Sequence, residues 1–178
     1  MSRPSWLQKL YWTRFSKPVE ERALFKHLID RPVASILEIG VGDGGRMQRI
    51  AKLVRLPAGA EQLRYIGIDE FESAEDHARH LTLKQAHQLA THLGFKASLI
   101  PGDHKSAIPR VAHKMGTSDL VIVNGGLNPQ EPSNGFIGTW LNRLAHSEST
   151  VIGCEVGGQN LIVINASALD LPAIRRAA

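Results

Sequence analysis

Cysteine is almost absent: Cys154 is the only one in 178 residues. No disulfide can close within the chain, which favours a reducing compartment and sets the expectation of a cytoplasmic protein. No apolar run approaches the roughly 18 residues of a membrane-spanning helix, so no transmembrane segment is expected. An apolar signal core with a small-residue cleavage site is also lacking at the N-terminus, which argues against secretion. Aromatic residues are scarce at 6%, yet Trp6, Tyr11, Trp12 and Phe15 crowd into the first 17 positions. Acid is missing from that same stretch, which holds Arg3, Lys9, Arg14 and Lys17. Taking these four from the 21 basic residues leaves 17, matched by 17 acidic ones. The net charge of +4 therefore belongs to a short arm. A neutral body gives no strong nucleic-acid signal, despite the basic balance of the whole chain.

What is present is an alternation. After the arm, Pro18 opens a helical stretch, "PVEERALFKHLID", with Glu20 and Glu21 at its positive end. From Pro32 onward, runs that read as strands alternate with runs that read as helices. "VASILEI", "LRYIGID", "KASLI", "SDLVIVN", "STVIGCEV" and "NLIVINAS" are the strands. "GGRMQRIAKLV", "HLTLKQAHQLATHLG", "SAIPRVAHKM" and "NGFIGTWLNRLAH" are the helices, the third kinked or started at Pro109. Alternation of this kind predicts an α/β fold with a mostly parallel sheet and helices on both faces. Only "GGQN" separates the last two strands, so they pair as an antiparallel hairpin. The expected sheet has six strands. The tail "ALDLPAIRRAA" reads as a short or frayed helix. Residues 1–17 form the arm, and 18–178 a single domain.

The densest signal is "ILEIGVGDGG", residues 36 to 45. A strand, a glycine turn and a helix start form a cradle in which bare backbone approaches a ligand. Gly40, Gly42 and Gly45 satisfy the dinucleotide pattern G-x-G-x-x-G. Glu38, Gly40, Gly42 and Gly44 equally satisfy E-x-G-x-G-x-G. A carboxylate beside a pyrophosphate would meet like charge, whereas a cationic, phosphate-free ligand gains from it. S-adenosyl-L-methionine is such a ligand. Asp69 closes the next strand, where an acid accepts from ribose hydroxyls. Asp103 follows the third strand, within reach of an adenine amino group. Taken singly, each of these acids reads as a turn or helix cap. Together they occupy adjacent C-terminal strand ends, the ligand-binding edge of open α/β sheets.

These segments resemble the class I, Rossmann-like S-adenosylmethionine-dependent methyltransferases, over roughly residues 18 to 166. "LEIGVGDGG" resembles that family's first motif, "YIGIDE" its second and "LIPGDHKSAIP" its third. "SDLVIVNGG" resembles the fourth strand, whose end lies beside the transferred methyl. The resemblance implies cofactor contacts at Glu38, Gly40, Gly42, Gly44, Asp69, Glu70, Asp103, His104 and Asn124. The nearest flavour is the small-molecule O-methyltransferases of the caffeoyl-CoA and catechol type. Those carry a metal-ligating acid at the end of strand four, where this chain has Asn124, and an Asp-Asn pair that is not apparent here. Metal-free transfer to a small-molecule acceptor is the resulting expectation. The stretch from Asn124 to Leu127 lacks the prolines and aromatic of the N-P-P-Y motif of amino-methylating enzymes.

No catalytic base stands out. His104 reads as a histidine at a helix start, and Asn124 and Asn128 as acceptor contacts or turn formers. His77, His80 and His87 read as solvated helix residues, since nothing completes a metal set around them. In the arm, Leu7, Leu10, Tyr11 and Phe15 recur at helical spacing, and the plainest reading packs that stripe on the body. Other readings place the arm over the substrate mouth, against a second subunit in a homodimer, or on anionic lipid or nucleic acid. Two other functions stay open: a cofactor-binding domain with little catalysis or a macromolecular acceptor, and a nicotinamide-dependent oxidoreductase.

Overall fold

The computed structural model describes residues 6–125, 133, 135–154 and 161–164. Among them are six strands: β1 (Ser35–Ile39), β2 (Arg64–Asp69), β3 (Lys96–Pro101), β4 (Leu120–Val123), β5 (Thr150–Gly153) and β6 (Ile162–Ile164). The helices are α1 (Trp6–Leu10), α2 (Arg22–Asp30), α3 (Gly45–Leu53), α4 (Leu83–His92), α5 (His104–Lys114) and α6 (Gly135–Leu144). The sheet order is β3-β2-β1-β4-β5-β6. All pairings are parallel except β5 with β6, where Val151 faces Ile164 and Gly153 faces Ile162. This is the mostly parallel, hairpin-closed sheet that the alternation predicts. The "GGQN" turn and the tail from 168 onward lie outside the described residues.

The period-two alternation of a strand distributes side chains to two cores. Leu37 and Ile39 join Ile66, Ile68, Val121 and Val123 under α5 and α6. Ile36 joins Tyr65, Leu120 and Ile122 under α2, α3 and α4. Glu38 shares the face of Ile36, and so a carboxylate is carried into the second of these cores. Three layers result, with the C-terminal strand ends along one edge.

Helix boundaries differ from the periodicity in informative ways. The expected helix from His80 starts at Leu83, because Thr82 caps it and Gln85 closes a reciprocal capping box. His80 is thereby left in the loop before the helix. The stretch expected to kink or start at Pro109 is a helix from His104 onward. Asp103 caps it, accepting from the backbone N–H groups of Lys105 and Ser106 at 2.7 and 3.1 Å.

The arm turns out otherwise than its stripe suggests. α1 passes into a π-helical turn over Tyr11–Phe15. Leu7, Leu10, Tyr11 and Phe15 face outward, and Trp6 with them. Trp12 is the residue that packs inward, edge-on to Phe25 of α2 with ring centroids 5.4 Å apart. The apolar stripe is therefore not the face that meets the body.

Candidate active site at the C-terminal edge of the sheet

A cleft of about 550 Å³ opens at the ends of β1, β2, β3 and β4. The chain winds outward from β1 in one direction and from β4 in the other, so the cleft lies at the topological switch point. Gly40, Asp69, Glu70, Asp103, His104 and Asn124 all stand on its wall. Glu38, Gly42 and Gly44 do not.

The glycine loop is shaped by its neighbours. Gly40 has φ +90°, and a Cβ there would come within 2.9 Å of the Asn124 Cβ. Gly44 has φ +73°, and its Cβ would strike the Leu81 and Leu89 side chains at 2.6 and 2.7 Å. Both positions demand a residue without a side chain. Gly44 thus lets α3 enter close under α4, while Gly40 lets the loop close onto β4. The Asn124 amide donates to the Gly40 carbonyl. Its oxygen accepts from Arg46 Nη1 at 2.6 Å. Asn124 is therefore fixed to the loop through both ends of its amide.

Glu38 lies beneath the wall and is fully buried. Its oxygens accept from Tyr65 Oη at 2.6 Å and from Arg46 Nη1 at 3.1 Å. Burial raises the Glu38 carboxyl above its usual range, against the opposing pull of Arg46 and Tyr65. Burial also raises the Tyr65 hydroxyl well above its ordinary value, and the charge of Glu38 adds to this. For Arg46, burial works to lower the value, but Glu38 and Glu21 outweigh it and hold the guanidinium cationic. Glu21, buried at the start of α2, accepts from Arg46 at 2.9 Å and from Arg49 at 2.7 and 2.8 Å. Two carboxylates and two guanidiniums thus balance behind the loop. The charge of Glu38 is thereby matched inside the protein by Arg46.

Among the described residues, the wall carries the carboxylates of Asp69, Glu70, Glu75, Asp76 and Asp103, with neither lysine nor arginine. Asp69 is the anchor. Its Oδ2 accepts from the Gly42 N–H at 2.8 Å. Its Oδ1 accepts from the Phe71 N–H at 2.9 Å and pairs with His80 Nδ1 at 2.8 Å. Phe71 is a buried non-glycine residue at φ +51°, a conformation that costs about 1–3 kcal/mol and turns its N–H back to Asp69. Asp103 is exposed, and the Ser106 backbone N–H holds its carboxyl below the usual range.

Arg46, Arg49, Glu21 and Tyr65 were not among the sequence candidates, and His80 stood among the solvated helix residues. Arg46 and Arg49 are three apart on α3 and share one face, which was the available signal. Nothing local marks Tyr65 or Glu21 as their partners. Among the described residues no group of histidine, cysteine and carboxylate side chains is placed to hold a metal.

Comparison with known proteins agrees with this architecture. No family model matches the chain, and no curated protein matches it. Solved structures do. A methyltransferase from Geobacter sulfurreducens is 15% identical, with a TM-score of 0.51 over 78% of this chain and 60% of its own. An O-methyltransferase from Streptomyces achromogenes involved in tomaymycin synthesis, solved with S-adenosylmethionine, is 21% identical. It has a TM-score of 0.52 over 79% of this chain and 56% of its own. This chain thus aligns with less than two thirds of the length of either. The sheet order, the closing antiparallel pair and these likenesses give the chain the Rossmann-like fold of the class I methyltransferases.

Proposed function

We propose that the chain is an S-adenosyl-L-methionine-dependent methyltransferase acting, without a metal, on an oxygen of a small molecule. The cleft wall carries this reading: among the described residues it has five carboxylates and no basic side chain other than histidine, at the switch point of a Rossmann-like sheet. Such a wall repels a pyrophosphate and suits a cationic, phosphate-free cofactor. It counts against a nicotinamide dinucleotide. The O-methyltransferase likeness supports oxygen as the acceptor atom.

The donor set fits the cofactor in its parts. Asp69 Oδ2 accepts one hydrogen bond within the chain and keeps capacity for a ribose hydroxyl. Both caps of α5 fall on Asp103 Oδ1, which leaves Oδ2 for an exocyclic amino group. Gly40 brings bare backbone to the wall, held there by Asn124 and Arg46. When bound, the cofactor supplies a methyl group already activated on a sulfonium. The protein then contributes orientation, and the rigid loop behind Gly40 is what orients. No residue is assigned as a general base.

Calorimetric titration with S-adenosylhomocysteine and with NADH, in the presence of EDTA, tests this. The homocysteine compound is expected to bind and NADH to give no heat. NADH binding without the other would overturn the reading. A strict magnesium requirement for binding or transfer would overturn its metal-free part.

The outer face of the arm is proposed as the contact for a second copy. Tyr11, Phe15 and Val19 are exposed, and the Leu161 N–H donates to the Glu20 carbonyl at 2.9 Å. That bond ties the segment just after the arm to the residue preceding β6, the last strand in the sheet order, where Ile162 and Val163 are also exposed. An apolar face continuous with a sheet edge is a pairing surface. Sedimentation equilibrium should find a dimer that L10D/F15D converts to a folded monomer. A monomeric native chain would refute it.

A further inference from the structure

We infer that His80 is a second ribose contact, oriented by Asp69. This rests on the cofactor reading above and adds to it a residue that the sequence pattern places elsewhere.

The count of lone pairs carries it. Asp69 is placed to take the ribose, and a carboxylate oxygen accepts about two hydrogen bonds. Oδ1 already takes the Phe71 N–H and His80 Nδ1, so it is full. Oδ2 takes the Gly42 N–H and has room for one more. Asp69 can therefore receive one ribose hydroxyl and not both. The other hydroxyl needs a partner beside it. His80 stands on the cleft wall with its side chain 29% exposed. Its Nδ1 faces an oxygen that can only accept, so Nδ1 donates to it, leaving Nε2 for a hydroxyl, which can both donate and accept. Nε2 has no hydrogen bond among the described residues.

The loop holds this ring in place from both sides. The Leu81 N–H donates to the Gly42 carbonyl at 3.0 Å. The Leu83 N–H donates to Glu72 at 2.7 Å. His80 is thus tied to the glycine loop through its chain neighbour and to the strand end through its ring. A ligand group that meets Asp69 Oδ2 meets the same corner of the cleft. Glu70 is the competing acceptor, exposed on the same wall.

The test pairs two variants with three ligands: S-adenosylhomocysteine and its 2′-deoxy and 3′-deoxy ribose analogues. His80→Ala removes both ring nitrogens. His80→Asn keeps a donor at the Nδ1 position for Asp69 and removes Nε2. Each variant is expected to weaken S-adenosylhomocysteine about tenfold, the range of one hydrogen bond. Against one of the two deoxy analogues, and only one, neither variant should cost anything further. Equal losses on all three ligands would mean that His80 only supports the loop. No loss on any would give the second hydroxyl to Glu70. Either outcome overturns the inference while leaving the cofactor reading intact. Failure of the native chain to bind any of the three ligands would instead remove the cofactor reading, and this inference with it.

Discussion

Replacing Arg46 with methionine is expected to cost about 3–5 kcal/mol of stability at pH 8, the range for a buried ion pair that loses one partner. The substitution keeps the length and apolar stem of the side chain but removes the cation facing Glu38. Glu38 is fully buried, and the hydroxyl of Tyr65 would be its sole remaining partner among the described residues. Glu21 would keep Arg49, so the loss falls on Glu38. The penalty should also depend on pH in a definite direction. Burial already holds the Glu38 carboxyl above its ordinary value of 4.5, with Arg46 opposing that rise. A carboxyl raised by folding binds more protons in the folded state. Its contribution is complete below the ordinary value and is lost as pH climbs through the folded one. Without Arg46 the folded value moves higher still. The gap between variant and native chain should therefore narrow as pH falls from 8 toward 5. Urea unfolding at both pH values measures it. Adding Glu38→Gln to the variant should remove that narrowing, because no proton is left to bind. A penalty equal at both pH values would show that Glu38 does not carry the charge ascribed to it.

The strands were legible because each centres on a mostly apolar run between turn signals. β1 is the clearest case: "SILEI" is buried at every position, its single carboxylate included. That carboxylate is also where sequence reasoning saw only part of the surroundings. A charge at a strand end beside four glycines looks like a ligand contact, because spacing shows neighbours along the chain and not those across the sheet. Tyr65 reaches Glu38 from β2, and Arg46 reaches it from the first turn of α3. The acids at the ends of β2 and β3 read correctly as to place, since strand ends map onto one edge of a parallel sheet. Asp103 proved to be both a cap and a wall residue, two roles that had stood as alternatives. His80 was misplaced by helical periodicity. Thr82 and Gln85 start the helix after it, and the left-handed backbone at Phe71 cannot be read from an aromatic residue. The outward stripe of the arm has a similar cause: one well-seated aromatic, Trp12, sets which face turns inward.

Asp69→Ala is expected to weaken S-adenosylhomocysteine binding about 100-fold or more, near 2.7 kcal/mol, with a separate loss of stability. The affinity loss exceeds that of a single hydrogen bond because Asp69 acts at three places. In the proposed complex it would accept one ribose hydroxyl, and in the structure it fixes the glycine loop through the Gly42 N–H and pairs with His80. Hydrogen bonds to an ionised group are worth about 1.5–3 kcal/mol, so the direct contact alone approaches the whole effect. The stability loss has another origin. Phe71 holds a left-handed backbone whose N–H points at Asp69 Oδ1 in a buried site. Without that acceptor the strained turn keeps its cost and loses its compensation. About 2–4 kcal/mol should disappear, taking one orphaned buried donor and part of the strain together. Asp69→Asn separates the two effects. Its oxygen can still serve Phe71 and His80, while its amino group turns a donor toward the Gly42 N–H and the cleft. Stability should then fall less than in the alanine variant, with affinity reduced comparably. Thermal unfolding and calorimetry on both variants read the two quantities independently. If Asp69→Ala folds and binds as the native chain does, the ribose does not lie at the end of β2. The carboxylates of the wall would then need a different ligand.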